Sequence, residues 1–241
     1  IPLLQIVVIL VIALGTQFGA TKLLKIPKFD PRSPLITALS LCLLARVGGI
    51  EWAVLVVFFA VASKFVIRWK GKHLFNPANI GIVLGMSVSA GSVWVSPGQW
   101  GSVTFFAFLL ACIGGLVVTR AQRADITLGF LAIWATLVIG RSWWVGEPMT
   151  IPLHRLQSGA LLLFTFFMIS DPKSTPDSRL GRLIFAALVA VTGFFLQFWW
   201  FISSGIFWAL ATCSLLTPVL DRLLPAARFD WARRDQNLAA A

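Results

Sequence analysis

At 241 residues, with 58% hydrophobic and 12% charged side chains and a mean hydropathy of +0.88, the chain lies far from the composition of a soluble domain. A soluble enzyme is excluded. The net charge of +11 is spread over short breaks between apolar runs, which suits loops facing anionic lipid and not a nucleic-acid surface.

A helix needs roughly 20 apolar residues to cross a bilayer of about 30 Å, and on that measure the chain divides into about nine segments. In order these are 1–20, 34–47, 50–67, 79–95, 100–119, 125–144, 151–169, 181–200 and 202–220. The first is longer than the hydrophobic stretch of a signal peptide. Segment 34–47 rises only about 21 Å at 1.5 Å per residue. Segment 151–169 opens with Pro152, His154 and Arg155. Both read as tilted, partly re-entrant or broken helices, which a membrane tolerates only where protein or water satisfies the freed backbone. The expected fold is an all-α polytopic membrane protein, with residues 1–225 as one helical domain and 226–241 as a cytoplasmic tail.

Nine crossings place the basic clusters at 22–32, 64–72, 120–123, 173–182 and 222–234 on one side. Of the 20 Lys and Arg residues, only Arg46, Arg141 and Arg155 fall toward the other. The excess marks the cytoplasmic face, so the N-terminus is expected outside and the C-terminus inside. Trp94, Trp100, Trp143, Trp144, Trp199 and Trp200 collect at segment ends on the outer side, where indole rings favour the interface. The 11 Trp are accompanied by no Tyr, which excludes a tyrosyl relay.

Cys42, Cys112 and Cys213 are isolated in apolar runs and read as small buried hydrophobes. His73 and His154 have no second ligand at metal spacing, so neither metal nor haem is expected. Glu51, Asp125 and Glu147 stand near segment boundaries and form no mid-membrane proton relay. No nucleophile has an adjacent base.

Two polar strings interrupt the apolar pattern on the inner side: Phe75-Asn76-Pro77-Ala78-Asn79 and the stretch from Ser170 to Ser178. In the first, Asn76 can cap a helix that Pro77 begins, and Gly81 and Gly85 offer a small face for close packing. In the second, Asp171-Pro172 ends a helix. Ser174, Thr175, Asp177 and Ser178 offer caps to the next, with Arg179 and Arg182 as partners. Asp171 also suits a turn or a polar ligand.

With their flanks the strings resemble a known family of membrane subunits, represented by RnfD in the Rnf electron-transport complex and by NqrB in the sodium-pumping NADH:quinone oxidoreductase. The resemblance rests on FDPRSPLITALSLCLL and ASKFVIRWKGKHLFNPANIGIVLG between Phe29 and Gly85, and on LHRLQSGALLLFTFFMISDPKSTPDSRLGR from Leu153 to Arg182. It implies a bacterial inner-membrane protein of two related halves, partnered by lipid and by other subunits of a redox complex. A weak echo between Ser33-Pro34-Leu35 and Ile151-Pro152-Leu153 fits such a repeat, and paired Pro-marked segments point to a site between halves. The candidate cofactor-binding residues are Ser33, Thr37, Asn76, Asn79, Ser158, Gly159 and Asp171, with Ser40 and Thr165 beside them. Small and hydroxylated residues are equally ordinary helix-packing contacts.

Relatives with covalent FMN are expected to attach it to the Thr of a (Ser/Thr)-Gly-Ala-Thr string. The corresponding region here reads SVSAGSVWVSPGQWGSVTF, with only Ala90-Gly91-Ser92 as a remnant. No covalent FMN is therefore expected, which leaves a non-covalent flavin, a quinone or no cofactor at all. Three functions remain open: an electron-transport subunit, a non-redox scaffold or assembly subunit, and a transporter of small molecules or ions.

Overall fold

The computed structural model describes residues 2–96 and 103–229, with 103–111 described as backbone only. Trp100, the start of segment 100–119 and most of the tail 226–241 lie outside the described residues.

The chain is mostly helical. It runs α1 (Leu3–Leu23), α2 (Arg32–Leu44), β1 (Ala45–Val47), α3 (Ile50–Val66), β2 (Arg68–Trp69), β3 (Lys72–His73), α4 (Pro77–Val88), β4 (Val93–Val95) and α5 (Val103–Arg120). It continues with α6 (Ala124–Val145), α7 (Thr150–Leu156), α8 (Gly159–Leu163) with a π-helical extension over Phe164–Met168, α9 (Arg179–Phe198), α10 (Gly205–Ser214) and α11 (Thr217–Leu223). Among the described residues, α1, α6 and α9 are each long and apolar enough to cross a membrane; α10 and α11, bent by 49°, would together make a fourth.

The remaining elements are shorter than the expected segments, for local reasons. Segment 34–47 stops being helical at Leu44, and Ala45–Val47 turns extended to pair antiparallel with Val93–Val95, Val47 facing Val93. These β-branched residues fit a strand better than a helix end. Segment 79–95 is helical only to Val88; a turn through Ala90 and Gly91, both at positive φ, leads into β4. Segment 151–169 breaks at Gln157-Ser158, where the Ser158 hydroxyl accepts from Leu161 N–H and caps a new helix. Segment 202–220 bends before Pro218, which has no N–H to continue the ladder.

Helix α3 lies against α1 and α4, and α2 against α1; α9 lies against α6 and α10, and α7 against α6. The two groups meet where α4 packs on α10. Close approach within each group relies on small residues: Ala13, Ala38, Ala53, Ala60, Ala186 and Ala190 are fully or almost fully buried. Gly81 shows why. A Cβ at this position would lie 2.6 Å from both the Ala60 Cβ and the Val56 carbonyl oxygen, so only glycine lets α4 sit this close to α3. Outward, Leu4, Val11, Phe18, Leu128 and Phe195 stay exposed, an apolar surface suited to lipid.

Candidate functional site: a charged clasp and an opposing cavity

Ion pairs and ring contacts define two ends of the bundle. Asp125 and Arg182 meet at the starts of α6 and α9, while Arg141 and Phe198 meet near their finishes. The 20 residues of α9 separate these ends by about 30 Å.

At the first end the β2–β3 hairpin carries the charge. Its two-residue turn, Lys70-Gly71, has both residues at positive φ (45° and 84°), the geometry that joins twisted antiparallel strands and that Gly71 adopts without strain. The turn sends Lys72 and His73 back toward the second polar string. Lys72 Nζ donates to Thr175 O at 3.0 Å, Asp177 Oδ1 at 2.9 Å and Asp221 Oδ2 at 3.1 Å. An ammonium has three donors, and all three are used. The other Asp221 oxygen accepts from Asp177 N–H at 2.8 Å, so α11 is tied into the same knot. Next to it, His73 Nε2 lies 3.0 Å from Asp171 Oδ2.

Asp171 also accepts from Lys173 N–H through Oδ1, and its carbonyl accepts from Thr175 Oγ1. Burial alone would raise its carboxyl, but the charge and hydrogen bond of His73, with help from Lys173 N–H and Ser174, hold it below the usual carboxylate range. Arg182 grips Asp125 through Nε and Nη2 and donates Nη1 to Asp177 O at 2.6 Å. Arg123, before α6, is 3% exposed and its Nε and Nη2 lack hydrogen-bond partners. Burial first, then repulsion from Arg182, lower its pKa to about 10.

The candidate residues divide between the two ends. Ser33 accepts from Lys64 Nζ at 3.1 Å, and Thr37 donates to Ser33 O. Ser40 donates to Ile36 O, an ordinary helix contact. Asn76 caps α4 by accepting from Asn79 N–H at 3.1 Å, and Asn79 Nδ2 donates to Phe207 O at 3.1 Å, joining α4 to α10. The Asn79 Oδ1 and the Thr165 Oγ1 are buried without a partner. Ser158 and Gly159 stand at the opposite end, where α8 begins. The seven residues therefore do not form one pocket. Of the acids placed near boundaries, Asp125 is paired as above and Glu147 accepts from Arg141 and Ser142, each at 2.9 Å.

The opposite end holds a cavity of about 470 Å³, bordered by Ser158 and by Arg155, Gln157, Trp134, Phe198 and Ser204 among others. Neither this cavity nor the clasp is foreseen from the sequence. Arg155 stands out there as a break in an apolar run, but nothing local relates it to Ser204 or Trp134. Among the described residues, no group of three His, Cys, Asp or Glu could hold a metal ion, and the three cysteines are free.

A helical membrane protein, stitched through polar strings at one end and open at the other, is the class these features define. The model of the NQR2, RnfD, RnfE family matches residues 85–230, and the chain belongs to that family. It is 33% identical over 151 residues to the RnfD protein of the ion-translocating oxidoreductase complex of Pseudomonas aeruginosa UCBPP-PA14, covering 61% of this chain and 38% of the relative. The corresponding RnfD protein of Escherichia coli ATCC 8739 is 30% identical over 141 residues (56% and 36%), and that of Vibrio vulnificus YJ016 is 27% identical over 125 (51% and 34%). The chain thus spans well under half the length of these relatives.

Proposed function

We propose that the chain serves as a membrane subunit of an ion-translocating electron-transport complex, in a bacterial inner membrane, beside other subunits of that complex. The observation that carries this reading is the clasp. Lys72 and His73 lie in one of the two stretches that resemble the family, and Asp171, Thr175 and Asp177 in the other; the contacts between them bring the two together. Family membership supports it.

In this reading the chain traverses the membrane nine times, with the Lys72 end cytoplasmic and the N-terminus outside. Support comes from the basic residues whose ends the contacts fix: Lys72 and Arg182 lie at one, Arg141 and Arg155 at the other, the asymmetry on which the positive-inside rule acts. A two-half repeat is supported by the packing order: α1 with α2 and α3, then α3 with α4, is echoed by α6 with α7 and α9, then α9 with α10.

The chain works without covalent FMN. Where such a group would attach, Ser89 Oγ accepts from Val93 N–H, Ser92 O accepts from Gly48 N–H, and Ala90 and Gly91 form the turn between them. These residues do not fit the group: the turn has no Thr to carry it, and Ser89 is buried as the acceptor of Val93 N–H. A flavin or quinone is then held without a covalent bond. The second reading, a scaffold that kept the fold and lost the redox group, is favoured by the way the clasp spends its polar groups on itself.

One experiment separates them. Purified protein is examined for a 450 nm absorption band and, in a denaturing gel, for ultraviolet fluorescence. The electron-transport reading expects a band that is lost on denaturation and a dark gel. No band favours the scaffold, and a fluorescent gel band contradicts the absence of covalent flavin.

A further inference from the structure

We infer that the cavity at the Arg155 end binds the phosphate of an anionic lipid headgroup. Arg141 and Arg155 both lie over Phe198, at 4.7 and 5.1 Å from its centroid. Their charges are treated differently. Arg141 Nη1 meets Glu147 Oε1 at 2.9 Å, and the second Glu147 oxygen accepts from Ser142. Glu147 feels the Arg155 charge, but both its oxygens are already engaged. Arg155 Nη1 is buried with no hydrogen-bond partner. A guanidinium nitrogen left in that state is costly, and because Arg155 borders the cavity a turn of its planar fork would bring that nitrogen to an oxyanion held there.

The cavity supplies the place. Arg155 borders it together with His154, and no Asp or Glu is among its lining residues. Gln157, Ser203 and Ser204 add polar groups, and Ser158, whose oxygen accepts from Leu161 N–H, keeps its own O–H to donate. Leu161 and Ile206 provide an apolar wall. Its volume of about 470 Å³ exceeds what a lone phosphate needs and suits a headgroup with the start of its chains.

Depth selects a lipid as the source. Trp199, Trp200 and Phe201 are separated only by Ile202 from the cavity residues Ser203 and Ser204, and all three are strongly exposed, as are Trp143 and Trp144 near Arg141. Exposed indoles mark the level of the headgroups. This inference is independent of the redox reading and concerns no redox group.

The test uses the full chain in detergent and native mass spectrometry, with phosphatidylglycerol, phosphatidylcholine and inorganic phosphate as probes. Wild type is expected to retain phosphatidylglycerol about tenfold better than phosphatidylcholine, the effect of one charge-assisted contact. Arg155→Gln should lose that preference; Arg155→Lys should keep it, and so should Lys28→Gln at the other end. Equal retention of the two lipids by wild type overturns the inference without any variant. So does a preference that survives Arg155→Gln, or displacement of the lipid by millimolar inorganic phosphate, which would make the site one for a free anion.

Discussion

Lys72 and Asp177, 105 residues apart in sequence, meet at 2.9 Å in a site where their side chains are 13% and 8% exposed. Asp221 completes the contact at 3.1 Å. One ammonium therefore holds two carboxylates from different parts of the chain. Replacing it would leave two acids facing each other without a counter-charge. Lys72→Met is expected to destabilise the protein by about 3 kcal/mol, the cost of breaking a nearly buried pair from one side. Thermal unfolding in detergent checks this, and adding Asp177→Asn and Asp221→Asn to Lys72→Met should recover part of the loss. No loss in the single variant would mean the clasp is ornamental.

Asp171 gives the pH dependence. Its folded carboxyl titrates below the ordinary aspartate value of about 3.9, so between the two values the unfolded chain binds more protons than the native one. Stability from this group is complete above about pH 4 and is lost as pH falls below the ordinary range. Melting temperature recorded from pH 6 down to pH 3 should fall less steeply in Asp171→Asn than in wild type. Superimposable slopes would contradict the role given to His73.

The glycines separate tight packing from open space. Gly81→Ala drives a methyl into Ala60 and the Val56 carbonyl and is expected to cost about 1–3 kcal/mol. Gly15→Ala on α1 meets nothing within 4 Å and should leave thermal stability unchanged or slightly raised. Equal effects at the two sites would refute the close α3–α4 approach.

Sidedness has its own check. With single cysteines introduced as Met149→Cys and Ala226→Cys in a variant whose three native cysteines are serine, a membrane-impermeant maleimide added to intact cells should label residue 149 and not residue 226. The reverse pattern would invert the orientation.

What could be read from the sequence was local. Asn76 as a cap, Pro77 at a helix start and Gly81 on a small face all follow from contacts within a few residues, and each is found where spacing puts it; the helix opening at Ser158, inside a segment read as starting at Pro152, was not read. The expected separation of Arg46, Arg141 and Arg155 from the remaining basic residues rests on loop charge acting on single residues, and the labelling experiment above is its test. The clasp was not legible. Lys72 looked like one more loop lysine, and nothing near it in sequence announces Asp177 or Asp221. Nor were β1 and β4 foreseen, because three-residue strands inside apolar runs have the same composition as helix ends. The second string was read as capping material with Arg179 and Arg182 as partners; Ser178 does cap α9 and Arg182 does reach Asp177 O, but the carboxylate of Asp177 belongs to Lys72.

The central claim is that this chain works inside a redox complex. Its most direct test is to purify the tagged chain from native membranes in mild detergent and to identify every protein that stays with it. Stoichiometric recovery of other subunits of an ion-translocating oxidoreductase is expected. Recovery of the chain alone, or with partners that carry no redox group, would contradict it.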